Sequence, residues 1–412
     1  MPLFNNRLIR LSFAVALGAL VLWKGVVPAL TTIDTDFPNY YVASRIVIDH
    51  GDISHVYNDA WFSAQAVAMG LNAQARFSPF PPATVFVMIP FAWLPPLSAL
   101  QLWTVFNLGV LGAIIYLLSK ITSRDVVWCA TLVFASGHAL INNFRFGQFY
   151  IVLLLCCVVI YRGIQTNRHF AAGVLLGLGA VIKYFPALYF LSLVAKRQWQ
   201  TIVWGICTVA ALMGTAWMVV GTEANLHWIS NLLIHHAQGD VAGQSSNSAL
   251  FESWNSLLKR LFVKDILTNP MPMGDWPEAY SIGLMAIVVA ICDATFFALL
   301  RLKKLDRDQA LPLLWALLTF AAFTLLPISA TYHVLLLVLP VGLMLRSEGS
   351  WSVQQKIIAA AYIAIAFFPY SLVAGFEGRG ALSALAFPRL YLLCGMFGAI
   401  LWKIISLPRP VR

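Results

Sequence analysis

The chain has 412 residues, 60% of them hydrophobic and only 11% charged, with a formal net charge of +10 and a mean hydropathy of +0.78. Soluble domains carry about 25% charged residues, so the composition excludes a soluble globular protein and implies an integral membrane protein. The basic residues are scattered between apolar segments and form no single stripe, which excludes nucleic acid as a partner and makes the charge a matter of topology.

In lipid only helices and closed barrels satisfy their backbone groups, and these apolar stretches lack the alternation of a barrel. The expected fold is all-α, a polytopic transmembrane helical bundle of about 12 spans in a single domain over residues 1–412. Arg7 and Arg10 precede the first span, 10–30, which reads as an uncleaved signal anchor because Lys24 interrupts its core and no small-x-small cleavage site follows. Residues 31–81 then form an external segment, with helical spacing at 39–49 and 59–71 that predicts short helices along the membrane surface. The apolar run 82–94 lies between Pro81-Pro82 and Pro95-Pro96 and is about thirteen residues long, whereas a span needs about twenty, so it reads as re-entrant or interfacial.

Spans follow at about 98–118, 126–142, 148–162, 170–182, 184–195 and 199–220. The 170–182 and 184–195 pair places Lys183 at its outer tip, and Gly173 with Gly177 forms a small-xxx-small packing pair. A second external segment, 221–277, carries helices at 223–236 and 249–263 around the Gly/Ser/Asn-rich stretch 237–248. The last spans are 278–300, 309–327, 331–346, 353–374 and 388–405. Basic joints at Lys120/Arg124, Arg162/Arg168, Lys196/Arg197, Arg301/Lys303/Lys304/Arg307, Arg346/Lys356 and Lys403/Arg409/Arg412 put both termini in the cytoplasm by the positive-inside rule.

Cys129, Cys156, Cys157, Cys207, Cys292 and Cys394 all lie in apolar stretches, implying neither disulfide nor zinc site. His235 and His236 are adjacent and diverge by about 100° on a helix, so they make no chelating face. No H-E-x-x-H, Walker or dinucleotide motif is present.

The stretch "DTDFPNYYVASR" sets two carboxylates at the membrane boundary. Asp36 among Phe37, Tyr40 and Tyr41 reads as a general base tuned by partial burial, or, with Asp34, as a cap for the helix beginning near Pro38. Asp293, near the cytoplasmic end of its span, reads either as the carboxylate of a proton-coupled transporter or as an interfacial partner of Arg301 and Lys303.

The "DFPNYY" stretch, then "FSPFPPATVFVMIPFAWLPP", "FGQFYIVLLL", "GVLLGLGAVIKYFPALYFL" and, more weakly, "LPISATYHVLLLVLP" resemble, in order, blocks of glycosyltransferase family 87, the polyprenol-phosphate-mannose-dependent mannosyltransferases of the GT-C superfamily. The resemblance implies a GT-C fold, a lipid-linked sugar donor, and inversion at the anomeric carbon without nucleotide, metal or other cofactor. It implies that Asp36 is the base, with Asp34 the fallback. A leaving phosphate needs cations or hydrogen-bond donors on the outer side, for which Arg145, Lys183, Lys259, Arg260 and Lys264 are candidates.

Lys183 sits where the family has I-K-P-x-P, with Tyr184 in place of the first proline; it reads as a phosphate contact or as a snorkelling lysine. Arg145 keeps company with Asn142, Asn143 and Gln148, as a site cluster or an interfacial anchor. "ESWNSLLKRLF" resembles the family's Asn-Gln-Ser-Leu block, matching Asn255, Ser256 and Arg260 with Trp254-Asn255 where Asn-Gln is usual. His333, in the Ser/Pro/His block, reads as a donor to the leaving phosphate or a sugar hydroxyl, or as a satisfied polar residue at a helix end.

The expected protein is therefore a plasma-membrane enzyme, bacterial by resemblance, that moves a hexose, mannose first, from a polyprenyl phosphate to a lipid or glycan acceptor hydroxyl. Its site faces the periplasm or exterior. The rival is a transporter or flippase of a lipid-linked or polar solute, which predicts broken helices or inverted repeats around a midplane site.

Overall fold

A computed structural model describes residues 7–72, 74–240, 245–347 and 349–407. Arg409 and Arg412, counted above among the carboxy-terminal basic residues, lie outside the described residues, as do residues 241–244 of the Gly/Ser/Asn-rich stretch. Among the described residues the chain is all-helical, apart from one isolated bridge between Asp265 and Asn269. It divides into two compact units, 1–234 and 235–412.

The first unit opens with α1 (Arg7–Thr31). A π-helical turn at Leu22–Val26 takes up Lys24, whose Nζ lies 4.0 Å from the centroid of the Trp23 ring. The short helices α2 (Phe37–Ile48) and α3 (Asp59–Ala68) follow, close to the expected 39–49 and 59–71. The run 82–94 forms a 3-10 turn at Pro82–Phe86 and further turns, with no continuous helix. Prolines at both ends leave it too few residues for a span, and its orphan carbonyls are satisfied by α2. Ser44 donates to Val85 O at 2.5 Å, Tyr41 to Leu94 O at 2.7 Å and Arg45 to Ala92 O at 3.1 Å.

Next come α4 (Pro96–Thr122), which ends at Ser123 in the left-handed region, and the pair α5 (Val126–Phe134) and α6 (His138–Arg145), bent by 75° where the sequence suggested one span. Asp125 caps α5 through the Trp128 N–H at 2.9 Å and pairs with Arg10 at 2.8 Å. Then α7 (Tyr150–Gln165), α8 (His169–Ile182), α9 (Phe185–Ala195), α10 (Trp199–Val220) and α11 (Thr222–His227) complete the unit. The Gly173/Gly177 pair acts as expected: a Cβ at Gly173 would lie 2.5 Å from Thr201 O, and one at Gly177 2.6 Å from Gly205 O, so only glycines let α8 approach α10 this closely.

The second unit contains α12 (Trp254–Phe262), α13 (Pro277–Leu302), α14 (Arg307–Leu325), α15 (Val338–Leu345, after a 3-10 turn at Thr331–Leu337), α16 (Val353–Phe367) and α17 (Pro388–Ile405). Its centre is α14, packed against α13, α15 and α17. A capping box starts α16, with the Gln355 N–H on Ser352 Oγ at 3.3 Å and the Ser352 N–H on Gln355 Oε1 at 2.9 Å.

Every apolar stretch expected to span is helical, but among the described residues six helices are long and apolar enough to cross a membrane, or up to eight if each bent pair, α5 with α6 and α16 with Tyr370–Phe376, is one span. The protein is an integral membrane protein. The shorter apolar helices Tyr150–Gln165, His169–Ile182, Phe185–Ala195 and Thr331–Leu345 fall below the length of a simple crossing.

Candidate active site

Asp36 occupies the position before α2, with Pro38 opening the helix, yet its side chain makes no capping hydrogen bond. Its Oδ2 accepts from Gln148 Nε2 at 2.6 Å, while Oδ1 receives only a long contact from Thr35 Oγ1 at 3.5 Å. Gln148 is held in turn by Tyr40, whose hydroxyl donates to Gln148 Oε1 at 2.9 Å. That bond fixes which end of the amide faces the carboxylate, because only the nitrogen can donate to Asp36. Tyr40 is fully buried between Phe80 and Phe149, with ring centroids 4.7 and 4.4 Å away.

Gly147 makes the placement of Gln148 sterically possible. Its φ is +65°, and a Cβ there would lie 2.9 Å from Phe37 Cβ, so the turn between α6 and α7 passes against α2 without a side chain. Asn143 pins the same turn by accepting the Tyr150 N–H at 3.1 Å, and Trp103 Nε1 donates to Gly147 O at 3.2 Å.

Burial lifts the Asp36 carboxyl above its usual range, against the opposing pulls of the Gln148 hydrogen bond and the Lys183 charge. Lys183, in the break between α8 and α9, is half-buried, with its Nζ 4.1 Å from the Phe80 ring centroid, 5.9 Å from Tyr40 and 5.8 Å from Tyr150. Burial pulls its ammonium down to about 7, against the charge of Asp36. Asp34 does not cap α2 either: Oδ1 accepts the Thr35 N–H at 2.8 Å, and Oδ2 accepts from Arg145 Nε at 3.0 Å, with Arg145 mostly exposed. Tyr41 turns away to hold Leu94 O.

The first unit thus brings together Asp34, Asp36, Tyr40, Arg145, Gln148 and Lys183, and puts Tyr41 to structural use. Asn255, Ser256, Arg260 and His333 belong to the second unit, and most of their bonding is internal. Ser253 starts α12 by accepting the Ser256 N–H at 3.1 Å, with the Ser256 hydroxyl 3.0 Å from its own. Asn255 Oδ1 accepts from Tyr280 at 2.7 Å. Arg260 is buried, with Nε on Asn247 O at 2.9 Å, Nη1 on Thr268 O at 2.7 Å and Nη2 on Glu377 Oε1 at 2.5 Å, so its guanidinium ties these three segments together. His333 Nδ1 accepts the Ala330 N–H at 3.2 Å, which leaves the proton of the neutral ring on Nε2. Lys259 pairs with Asp240 at 3.1 Å.

Sequence reasoning passed over the ion network behind His333. Glu252, fully buried, accepts the N–H groups of Arg389 and Leu390 at the start of α17 on Oε2. The Arg389 guanidinium donates to Ser329 O at 2.5 Å, Leu250 O at 3.1 Å and Thr331 Oγ1 at 3.2 Å, which fixes the loop leading to His333. Burial pushes Glu252 up to about 7, with Arg389 opposing. A signal was available, since the basic-joint pattern of the sequence puts Arg389, like Arg145 and Lys183, at the end of an expected span away from the basic joints.

Asp293 stands exposed on α13, and Arg301 donates instead to the carbonyls of Ile404 and Ile405. Among the described residues no group of three or more His, Cys, Asp or Glu side chains is placed to hold a metal ion.

The polyprenol-phosphate-mannose-dependent alpha-(1-2)-phosphatidylinositol pentamannoside mannosyltransferase of Mycolicibacterium smegmatis is 25% identical over 216 residues, 52% of this chain and 49% of that one. Its namesake from Mycobacterium tuberculosis is 23% identical over 263 residues, 62% and 55% of the two chains. A third relative, the polyprenol-phosphate-mannose-dependent alpha-(1-2)-phosphatidylinositol mannoside mannosyltransferase of Mycobacterium tuberculosis, is 26% identical over 185 residues, 41% and 42%. The chain spans about half the length of the curated relatives it matches. The model of glycosyltransferase family 87 matches residues 79–329, more than half of the sequence, and the chain belongs to that family.

Proposed function

We propose that the protein is an inverting membrane glycosyltransferase that moves a hexose, mannose first, from a polyprenyl phosphate to an acceptor hydroxyl of a lipid or glycan on the non-cytoplasmic face. Asp36 Oδ1 takes the acceptor proton as the acceptor oxygen bonds to the anomeric carbon. The bond from that carbon to the phosphate oxygen breaks on the opposite side, and polyprenyl phosphate leaves with the electron pair. The observation that carries this reading is the Asp36 carboxylate itself, one oxygen clamped by Gln148 and the other left without a strong donor.

Lys183, enclosed by aromatic faces, stands near Asp36 and in its protonated form favours the carboxylate. Arg145, more exposed, is the cation of this unit best able to meet the leaving phosphate. His333, with its proton on Nε2, serves as a hydrogen-bond donor, and Asn255 and Ser256 are the substrate contacts that the family's block implies for the second unit. Arg260 acts through the loop it staples. Both termini lie in the cytoplasm, as the basic joints of the sequence suggest, and the membrane is a bacterial plasma membrane.

The test is transfer of labelled mannose from synthetic polyprenyl phosphate mannose to a membrane-lipid extract, with wild type and Asp36→Asn at matched folded yield. Transfer that collapses in Asp36→Asn supports both enzyme and base. Equal transfer by both moves the base role to Asp34, and transfer by neither rejects mannose as the donor sugar for these acceptors.

A further inference from the structure

Beside α2 the first unit holds a cavity of about 210 Å³, with Asp34, Thr35 and Pro38 on one side and Leu71, Asn72 and Gln74 on the other. It is smaller than the roughly 300–1,000 Å³ of sites that enclose drug-sized ligands. That volume suits a single ring. Thr35 belongs both to this cavity and to the surroundings of Asp36 Oδ1.

The lining is a carboxylate, two carboxamides and a hydroxyl above an apolar floor. Asp34 is locked in orientation by the Thr35 N–H and Arg145. Each of its oxygens still has a lone pair to offer. Carboxamides donate and accept at once, which matches vicinal hydroxyls, while Pro38 and Leu71, both buried, offer a surface for C–H groups. The opposite wall is anchored, because the Arg76 N–H donates to Asn39 Oδ1 of α2 at 2.8 Å. A phosphate would meet the Asp34 carboxylate with no cation among the lining residues, and a hydrocarbon tail would strip water from Asp34 without replacing it.

We infer that this cavity is a hydroxyl-binding subsite for a sugar ring, and that it seats the terminal sugar of the acceptor beside the base. The first half stands on the cavity; the second rests on the transferase reading above. Asn72 and Gln74 then set acceptor specificity.

The experiment is saturation-transfer-difference NMR on the full detergent-solubilised chain with methyl α-D-mannopyranoside as the probe. Wild type and Asp36→Asn are expected to saturate the probe, and Asn72→Leu and Gln74→Leu each to weaken it by up to about tenfold, the loss of one hydrogen bond. Both positions are exposed, and the melting temperature of each leucine variant is measured alongside, so that weaker saturation counts only at wild-type stability. No saturation by wild type, or saturation unchanged in both leucine variants, overturns the subsite. In the mannose-transfer assay the same variants should raise acceptor KM about tenfold and leave donor KM alone. Binding without transfer by wild type rejects mannose as the donor sugar for these acceptors and keeps the sugar site; transfer with unchanged acceptor KM in both variants keeps the transferase reading and removes the acceptor role of the site.

Discussion

Gln148 donates its side-chain amide to Asp36 Oδ2 at 2.6 Å across 112 residues of sequence, joining the turn before α7 to the start of α2. The bond opposes the burial that lifts the Asp36 carboxyl. Under the proposed mechanism the ionised carboxylate is the active form, so transfer should rise with pH through a limb above the ordinary carboxylate range. Removing a group that favours the anion raises the pKa further. Gln148→Leu and Lys183→Met should therefore each shift this limb to higher pH in a profile of kcat/KM. A limb that stays in place in both variants would detach them from Asp36.

Gly147→Ala tests the geometry behind that bond. The new methyl would sit 2.9 Å from Phe37 Cβ at a φ of +65°, so both the contact and the backbone oppose it. Destabilisation should exceed about 1 kcal/mol, read as a lower melting temperature. Activity should fall further than stability alone explains, because Gln148 moves with the turn. A variant with wild-type melting and transfer would mean that the turn relaxes freely.

Much of the bundle was legible because apolar runs and prolines mark helices locally, as at Pro96, Pro277 and Pro388, each of which opens a helix. The bend between α5 and α6 was not, since the chain stays apolar through the break and only Ser136-Gly137 marks it. In the candidate site, Asp36, Gln148 and Lys183 were each singled out from sequence, but not the Tyr40–Gln148–Asp36 order of bonding, which depends on three distant segments meeting. For Arg260 the sequence allows a phosphate or sugar contact or a solvated amphipathic face, because a sequence shows a charge and hides its partners. Asn247, Thr268 and Glu377 are what occupy it.

The Glu252 and Arg389 pair should behave as one unit. Arg389→Met removes the charge that opposes the burial of Glu252 and frees the Ser329 and Thr331 loop, and should lower the melting temperature. Combining Arg389→Met with Glu252→Gln should recover part of that loss, which a double-mutant cycle of unfolding free energies reads as coupling. Additive losses would mean that the carbonyl contacts of Arg389 matter and its charge does not.

Glu252 also predicts how stability depends on pH. Its folded pKa is raised from 4.5 to about 7, so between those values the folded state binds more protons than the unfolded one. Stability contributed by this group is therefore complete below pH 4.5 and is lost as pH rises towards about 7. This is opposite in sign to an ordinary salt-bridged carboxylate. Melting temperatures of the solubilised chain should fall across that window relative to Glu252→Gln, which has no proton to lose. Arg389 opposes the shift, so Arg389→Met should raise the folded pKa and extend the decline to higher pH. If wild type and Glu252→Gln keep a constant difference in melting temperature from pH 4.5 to 7, the carboxylate is already ionised in the folded protein, held so by the α17 N–H groups and Arg389.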